Sequence, residues 1–456
     1  MSLRWKLSES RVGGVVSGVV LLFTAFLAAS VCAGTGSVED VEQKLLEQAA
    51  TNIEKHRMGS ATLQFTHPDG AQFAPEQVEI EQTSHDFLVG CIAFDLVGRD
   101  IYKEDLFKKR FKELFNFAVL PFYWDSYERR PARPRWQEIL EVVKWCKAND
   151  ITAKGHPLVW THRAGTPKWL SKYSLEVSEE MLKSRVIRIV DGYSGEVDMW
   201  DVVNEAVHTR TWRHTEKSNY ISESVEDMAD YVEKAFRWAH KGNPEAKLIL
   251  NDFALIPDES ARERFVALVK ELQSRDVPIS GLGLQAHEPR QEWFPPQQTW
   301  ETLNDLSELG YPLHITEFTP QSSGKQITGG WREGKWTEKN QADFAEQLCR
   351  LAFGHPNVVS FNFWGLSDRR IWLEKGGLIT EEYEPKPVYE RVRKLFQEEW
   401  HTTLSLQHIP QNEAASFRGF YGDYRITVRT GDGTPHTFQR HLGQESENRW
   451  KFVIKE

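Results

Sequence analysis

The chain is poor in cysteine, with 4 in 456 residues, and has no excess of positive charge: Asp and Glu outnumber Lys and Arg 66 to 56, a net −10. So sparse a cysteine set excludes a disulfide framework, and its spacing suggests no metal site. The acidic balance argues against nucleic acid and anionic membrane as partners and is neutral towards polysaccharide. Internal repeats, low-complexity tracts and long linkers are absent. A composition of 40% hydrophobic and 27% charged residues excludes a disordered chain and permits a large core. Tryptophan is what abounds, with 17 in one chain. Trp mostly supplies core area, yet a surplus also suits sugar rings, whose C–H faces stack on indoles.

Residues 1–33 carry Arg4, Lys6 and Arg11 ahead of an apolar stretch from Val12 to Ala29, then small residues ending Val31-Cys32-Ala33. That order builds a secretory signal, with cleavage expected after Ala33. The alternative is an uncleaved anchor, since Val12 to Ala33 is long enough to span a bilayer. The expectation is a secreted or periplasmic monomer with no membrane partner once the signal is gone. Cys91, Cys146 and Cys349 then remain, in apolar or helix-like surroundings that favour buried thiols.

After the signal, residues 34–86 read as a helix over Val38 to His56 and a small β extension, where Ala61 to Thr83 alternates around a turn at Pro68-Asp69-Gly70. Residues 87–400 repeat a strand-then-helix rhythm. Apolar runs fall at Phe87–Phe94, Phe117–Tyr123, Thr152–Trp160, Val197–Glu205, Lys247–Leu255, Ile279–His287, Pro312–Phe318 and Val358–Gly365. Helical patterns such as Lys103–Phe115, Trp136–Asn149, Val225–Lys241, Ala261–Arg275 and Asn340–Phe353 separate them. Eight such units point to an α/β fold, a closed parallel (β/α)8 TIM barrel, and no Gly-rich phosphate loop follows the first run to favour an open doubly wound sheet. Residues 401–456 read as a second β appendage, whose Phe417, Phe420, Tyr421 and Tyr424 are expected to pack against the last helix.

In such a barrel, functional groups sit where strands end, so polar residues closing an apolar run have priority. The third run closes in His156 and Trp160, the fourth in Asp201, Asn204 and Glu205, the fifth in Asn251-Asp252, the sixth in Gln285 and His287, the seventh in Glu317, and the eighth in Trp364. Two glutamates on non-adjacent strands can converge across the barrel mouth. Two carboxyls flanking one bond are what glycoside hydrolysis requires: one gives and recovers a proton, the other attacks or supports an oxocarbenium-like centre. No cofactor or metal is needed for that chemistry.

With these motifs in this order (GHPLVW, WDVVNE, ND, GLQAH, HITEF and FWGLSD followed by Trp372), the sequence resembles glycoside hydrolase family 10, whose best-known members are endo-β-1,4-xylanases. The likeness covers about Phe87 to Trp400. It implies that Glu205 is the acid/base and Glu317 the nucleophile of a retaining hydrolase acting on a xylan-like polysaccharide. By the same resemblance Asn204 would bond the sugar 2-hydroxyl, and His156 and Trp160 would line the subsite before the scissile bond. Gln285 and His287 would orient Glu317, and Trp364 and Trp372 would cage the reacting ring. Asp201 and Asp252 are expected to support these groups by hydrogen bonds. A separation of about 5–5.5 Å between the two carboxyls would give a covalent glycosyl-enzyme and retained configuration.

The sequence departs from the family at the end of the second strand. An Asn and a Lys that grip the next sugar along are replaced within Val119-Leu120-Pro121-Phe122-Tyr123-Trp124. Thr319 stands where an acidic residue usually buttresses the strand-six histidine, which should leave His287 less inclined to take a proton. Two further readings stay open: a retaining hydrolase of another β-glycan or of aryl β-glycosides, and a barrel that binds glycan with weakened turnover.

Overall fold

In this computed structural model the described residues are 38–98, 101–208, 224–410 and 414–455. The signal segment read at residues 1–33 lies outside them. The eight apolar runs form eight parallel strands: β1 (Leu88–Ile92), β2 (Phe117–Pro121), β3 (Thr152–His156), β4 (Met199–Asn204), β5 (Lys247–Asp252), β6 (Gly281–Leu284), β7 (Leu313–Phe318) and β8 (Val358–Phe363). Neighbours pair in sequence, β8 pairs with β1, and β3 pairs with β4, so the ring closes. Pro157 and Leu158 interrupt β3, which resumes at Val159–Trp160 against β4. Proline has no ladder N–H to give, so the break falls there. Helices cover the strands from outside, and this is why β4 and β7 are buried at every position.

Two covering helices were not picked out from the sequence, Leu175–Gly192 and Pro296–Ser307. The first opens with exposed Leu175 and Val177, which blur its apolar period. Four of the covering helices start on a side chain that caps the first turn: Ser174, Ser224, Asp258 and Thr337.

Side chains alternate along a strand, and that period of two places the site. Phe117 and Val119 of β2, Met199 of β4 and Ile249 of β5 form one apolar cluster beneath Trp364. Two residues further along the same faces come Asp201 and Asn251, followed by the strand ends. Register shifts interrupt β4 between Asp201 and Val203 and β7 between Ile315 and Phe318. Such irregularities re-aim side chains next to functional sites.

The terminal segments, read from the sequence as two separate appendages, share their sheets. Residues 58–66 run between 415–420 and 449–453, and residues 77–82 lie between 403–407 and 422–429, with 435–442 on the outer edge. The two sheets enclose one core that includes Leu63, Phe65, Ile80, Tyr424, Ile426 and Phe452. Phe417 and Tyr424 therefore face this core instead of the last helix, whereas Phe420 packs on Phe353 of the barrel layer. The helix Val38–His56 buries Ala49 with Trp300 and Leu351 of the barrel helices. Just after it, Arg57 donates to the carbonyls of Phe353, His355 and Val358 at 2.6–2.7 Å.

Candidate active site

Glu205 follows β4 with φ 62, in the left-handed region that non-glycine residues rarely occupy. Its N–H is fixed to the Asn251 carbonyl at 2.8 Å. Strain of this kind persists where surrounding bonds over-determine it, and it marks functional sites. The donors that meet the Glu205 carboxylate include Trp160 Nε1 at 2.8 Å, Gln285 Nε2 at 3.1 Å and Asn204 Nδ2 at 3.2 Å. Glu317, near the end of β7 and only 4% exposed, accepts from Asn251 Nδ2 at 2.8 Å. The same Asn251 amide donates to Asn204 Oδ1 at 2.7 Å. The two glutamates are thus at one mouth of the barrel, joined through Asn204 and Asn251.

Burial raises the Glu205 carboxyl from 4.5 to about 7 against the hydrogen bonds of Gln285 and Trp160, and the charge of Asp252 adds to the rise. Glu317 is pushed up as well, by burial first and by the charges of Glu205 and Asp201 next. The charge on Glu205 is thus part of what raises Glu317, and the two titrations are linked.

Beneath Glu317 lies a buried charge cluster. Asp201 Oδ2 is 2.7 Å from Lys154 Nζ and 2.8 Å from His156 Nδ1. Burial pushes Asp201 up, but Lys154 and His156 outweigh it and hold the carboxyl below its usual range. Burial lowers His156 in spite of Asp201. An ionised Asp201 requires the His156 proton on Nδ1, and Nε2 then faces Glu317 Oε1 at 3.8 Å. Asp252 accepts from the Val207 N–H at 2.9 Å and pairs with His208 Nδ1 at 2.7 Å, holding the chain just after Glu205.

Gln285 bears on Glu317 through its backbone and not through its side chain. The Gln285 side chain meets Glu205 and Asn204, not the Glu317 carboxylate, because its Oε1 is occupied by His287 Nε2 at 2.9 Å, which turns the amide N–H groups towards β4; the Gln285 carbonyl accepts from the Glu317 N–H at 3.2 Å. His287 Nε2 stands 3.8 Å from Glu317 Oε2, beyond hydrogen-bond distance. The side chain that bonds the Glu317 carboxylate is that of Asn251. Its signal was its place as a strand-ending amide on the inward period of β5. Gly283 opposite makes room for it, since a Cβ there would stand 2.4 Å from Asn251 Oδ1. Lys154, also unforeseen, lies two residues before His156 and so shares its face. Burial lowers His287 to about 3, and Thr319 Oγ1 lies 3.4 Å from its Nδ1.

Aromatic rings wall the mouth. Trp364, 8% exposed, lies 4.9 Å from the His156 ring, and Trp372, 40% exposed, lies 4.5 Å from His287 and donates to Thr319 Oγ1. Trp160 stacks on His162 at 4.1 Å. Among the described residues, no group of three His, Cys, Asp or Glu is placed to hold a metal ion.

A closed barrel with two buried carboxyls at one mouth defines a glycoside hydrolase in class. The sequence model of glycosyl hydrolase family 10 matches residues 94–395. Endo-1,4-beta-xylanase B of Thermotoga neapolitana is 30% identical over 286 residues, 60% of this chain and 78% of that protein. Endo-1,4-beta-xylanase 1 of Arabidopsis thaliana is 26% identical over 385 residues, covering 83% of this chain and 37% of its own length. Native xylanase 10B from Thermotoga maritima superposes with a TM-score of 0.57 at 25% identity, over 69% of this chain and 96% of that one. The chain belongs to glycosyl hydrolase family 10.

Proposed function

We propose that the protein is a secreted endo-hydrolase that cleaves β-1,4-xylosidic linkages in xylan with retention of configuration. The observation that carries this reading is the pair Glu205 and Glu317, buried together and bridged by Asn204 and Asn251. In the first step Glu205 gives its proton to the glycosidic oxygen while a Glu317 oxygen attacks the anomeric carbon. The carbon–oxygen bond to the leaving sugar breaks and an ester to Glu317 forms. In the second step Glu205 takes a proton from water, the water oxygen attacks the same carbon, and the ester breaks. A glycosidic oxygen facing Glu205 and a sugar hydroxyl donating to Glu317 would favour a protonated Glu205 and an ionised Glu317, as the first step needs.

The supporting residues fit these roles. The Asn204 amide, which donates to Glu205, would meet the 2-hydroxyl of the reacting sugar. Trp364, Trp372 and Trp160 offer indole faces and edges to its ring, and neutral His156 and His287 offer polar edges without adding charge. Secretion rests on residues 1–33, and a secreted product beginning at Gly34 is the expected result of amino-terminal sequencing.

NMR of the first-formed anomer tests the mechanism: retained β product is expected, and inversion would remove Glu317 from its role. Glu317→Ala should lower turnover of xylan by several orders of magnitude. A second reading, hydrolysis of another β-glycan or of aryl β-glycosides, is favoured by the aromatic end of β2. Turnover on xylan, mixed-linkage glucan and aryl β-glycosides separates the two. Xylan binding by the wild type without any cleavage would instead establish a glycan-binding barrel.

A further inference from the structure

The chain leaves β2 through Phe122 and Tyr123, whose side chains part company. Phe122 is buried against Trp200 and Tyr193. The Tyr123 ring lies on the other side, 5.4 Å from His156 and 5.7 Å from Trp160. Both of those rings face the carboxyls, His156 towards Glu317 and Trp160 towards Glu205. Tyr123 is also 5.8 Å from Phe94, Phe94 is 5.5 Å from Trp364, and Trp364 is 4.9 Å from His156. Four rings therefore touch in a closed circuit over β1, β2, β3 and β8. At these spacings neighbouring rings are in van der Waals contact, and no sugar ring fits between them.

The backbone that carries Tyr123 is pinned. The Phe122 N–H donates to the His156 carbonyl at 2.7 Å, and the buried guanidinium of Arg185 donates to the Phe122 carbonyl. The Tyr123 carbonyl accepts from the N–H groups of Ser126 at 3.1 Å and Tyr127 at 2.8 Å. Among the described residues the Tyr123 hydroxyl has no hydrogen-bond partner, yet it is not sealed from solvent. Burial, with the charges of Glu317 and Glu205, holds the phenol above its ordinary range, so it remains a neutral donor at any working pH.

We propose that Tyr123 is a specificity-determining residue that touches substrate, its hydroxyl bonding a hydroxyl of the sugar unit that Glu317 attacks. The proposal rests on the reading of Glu205 and Glu317 given above. Glu205 must face the glycosidic oxygen, so the leaving sugar lies beyond β4. The attacked sugar then lies on the Glu317 side, over His156 and against the ring circuit. There Tyr123 supplies a polar atom in a sector otherwise walled by Phe94 and Trp364, and a sugar hydroxyl lodged against that wall is desolvated unless the phenol pairs with it.

Tyr123→Phe removes the oxygen and keeps the ring circuit. Steady-state kinetics on an aryl β-xyloside, which has one sugar, and on xylotetraose should both show kcat/KM lower by about 10-fold to 100-fold. The two factors should agree, and the thermal unfolding midpoint should not move. Values within twofold of wild type on both substrates overturn the proposal. A loss confined to xylotetraose also overturns it, because the contact would then belong to a more distant sugar. If wild type hydrolyses neither substrate, the xylan-hydrolase reading is what fails and the role of Tyr123 falls with it; activity in wild type with no effect of the substitution sinks Tyr123 alone.

Discussion

A carboxyl raised to about 7 works as an acid below that value and is spent above it. The sign follows directly: kcat/KM should fall as pH rises past about 7, and Glu205→Gln should remove that limb from the profile along with most of the activity on substrates with poor leaving groups. The buried cluster under Glu317 has a different signature. Lys154→Met would leave Asp201 ionised in the barrel with His156 as its remaining partner, at a cost of about 3–5 kcal/mol in urea unfolding. The glutamates themselves were legible in the sequence, because strand-ending position and residue type suffice to mark them. Their donors were not. Whether Gln285 turns to Glu205 or to Glu317 depends on which of its atoms His287 has already taken, and strand spacing carries no such information.

At the scale of elements, the parallel strands were legible because burial on both faces writes each one as an apolar run. Their ends were less so, since runs such as Ile279–His287 continue past the four residues that pair, Gly281–Leu284. The excess is the functional part: chain that has left the ladder, like Glu205 at φ 62 and Ala286 at φ 58, is free to aim side chains across the mouth. Between elements, Arg57 is one firm tie, because its guanidinium satisfies three carbonyls from the end of one barrel helix and the start of β8. Arg57→Met should leave those groups unpaired and lower stability by at least about 3 kcal/mol, read as a shift in the urea midpoint with little change in KM.

For the whole molecule, residues 58–82 and 403–453 behave as one body with one core. Their partnership could not be read from alternation, which says that a strand has a buried face and not whose strand covers it. Deleting residues 409–456 should therefore cost more than the segment removed. It would strip both neighbours from residues 58–66, and limited proteolysis should then cut within residues 58–82, sites protected in the full chain.

Gln77 and its partner Ser405 are 328 residues apart, with the entire barrel between them. On the ribosome, at roughly 5–20 residues per second, the early strands must wait on the order of 15–65 s for their mates to emerge. During that interval their backbone edges are open to any other strand, including those of a neighbouring nascent chain. Such a topology makes the order of synthesis a hazard, with tail completion the event that ends it. Yield of active protein should therefore depend on chaperone supply during translation more steeply than for a barrel without this late clasp.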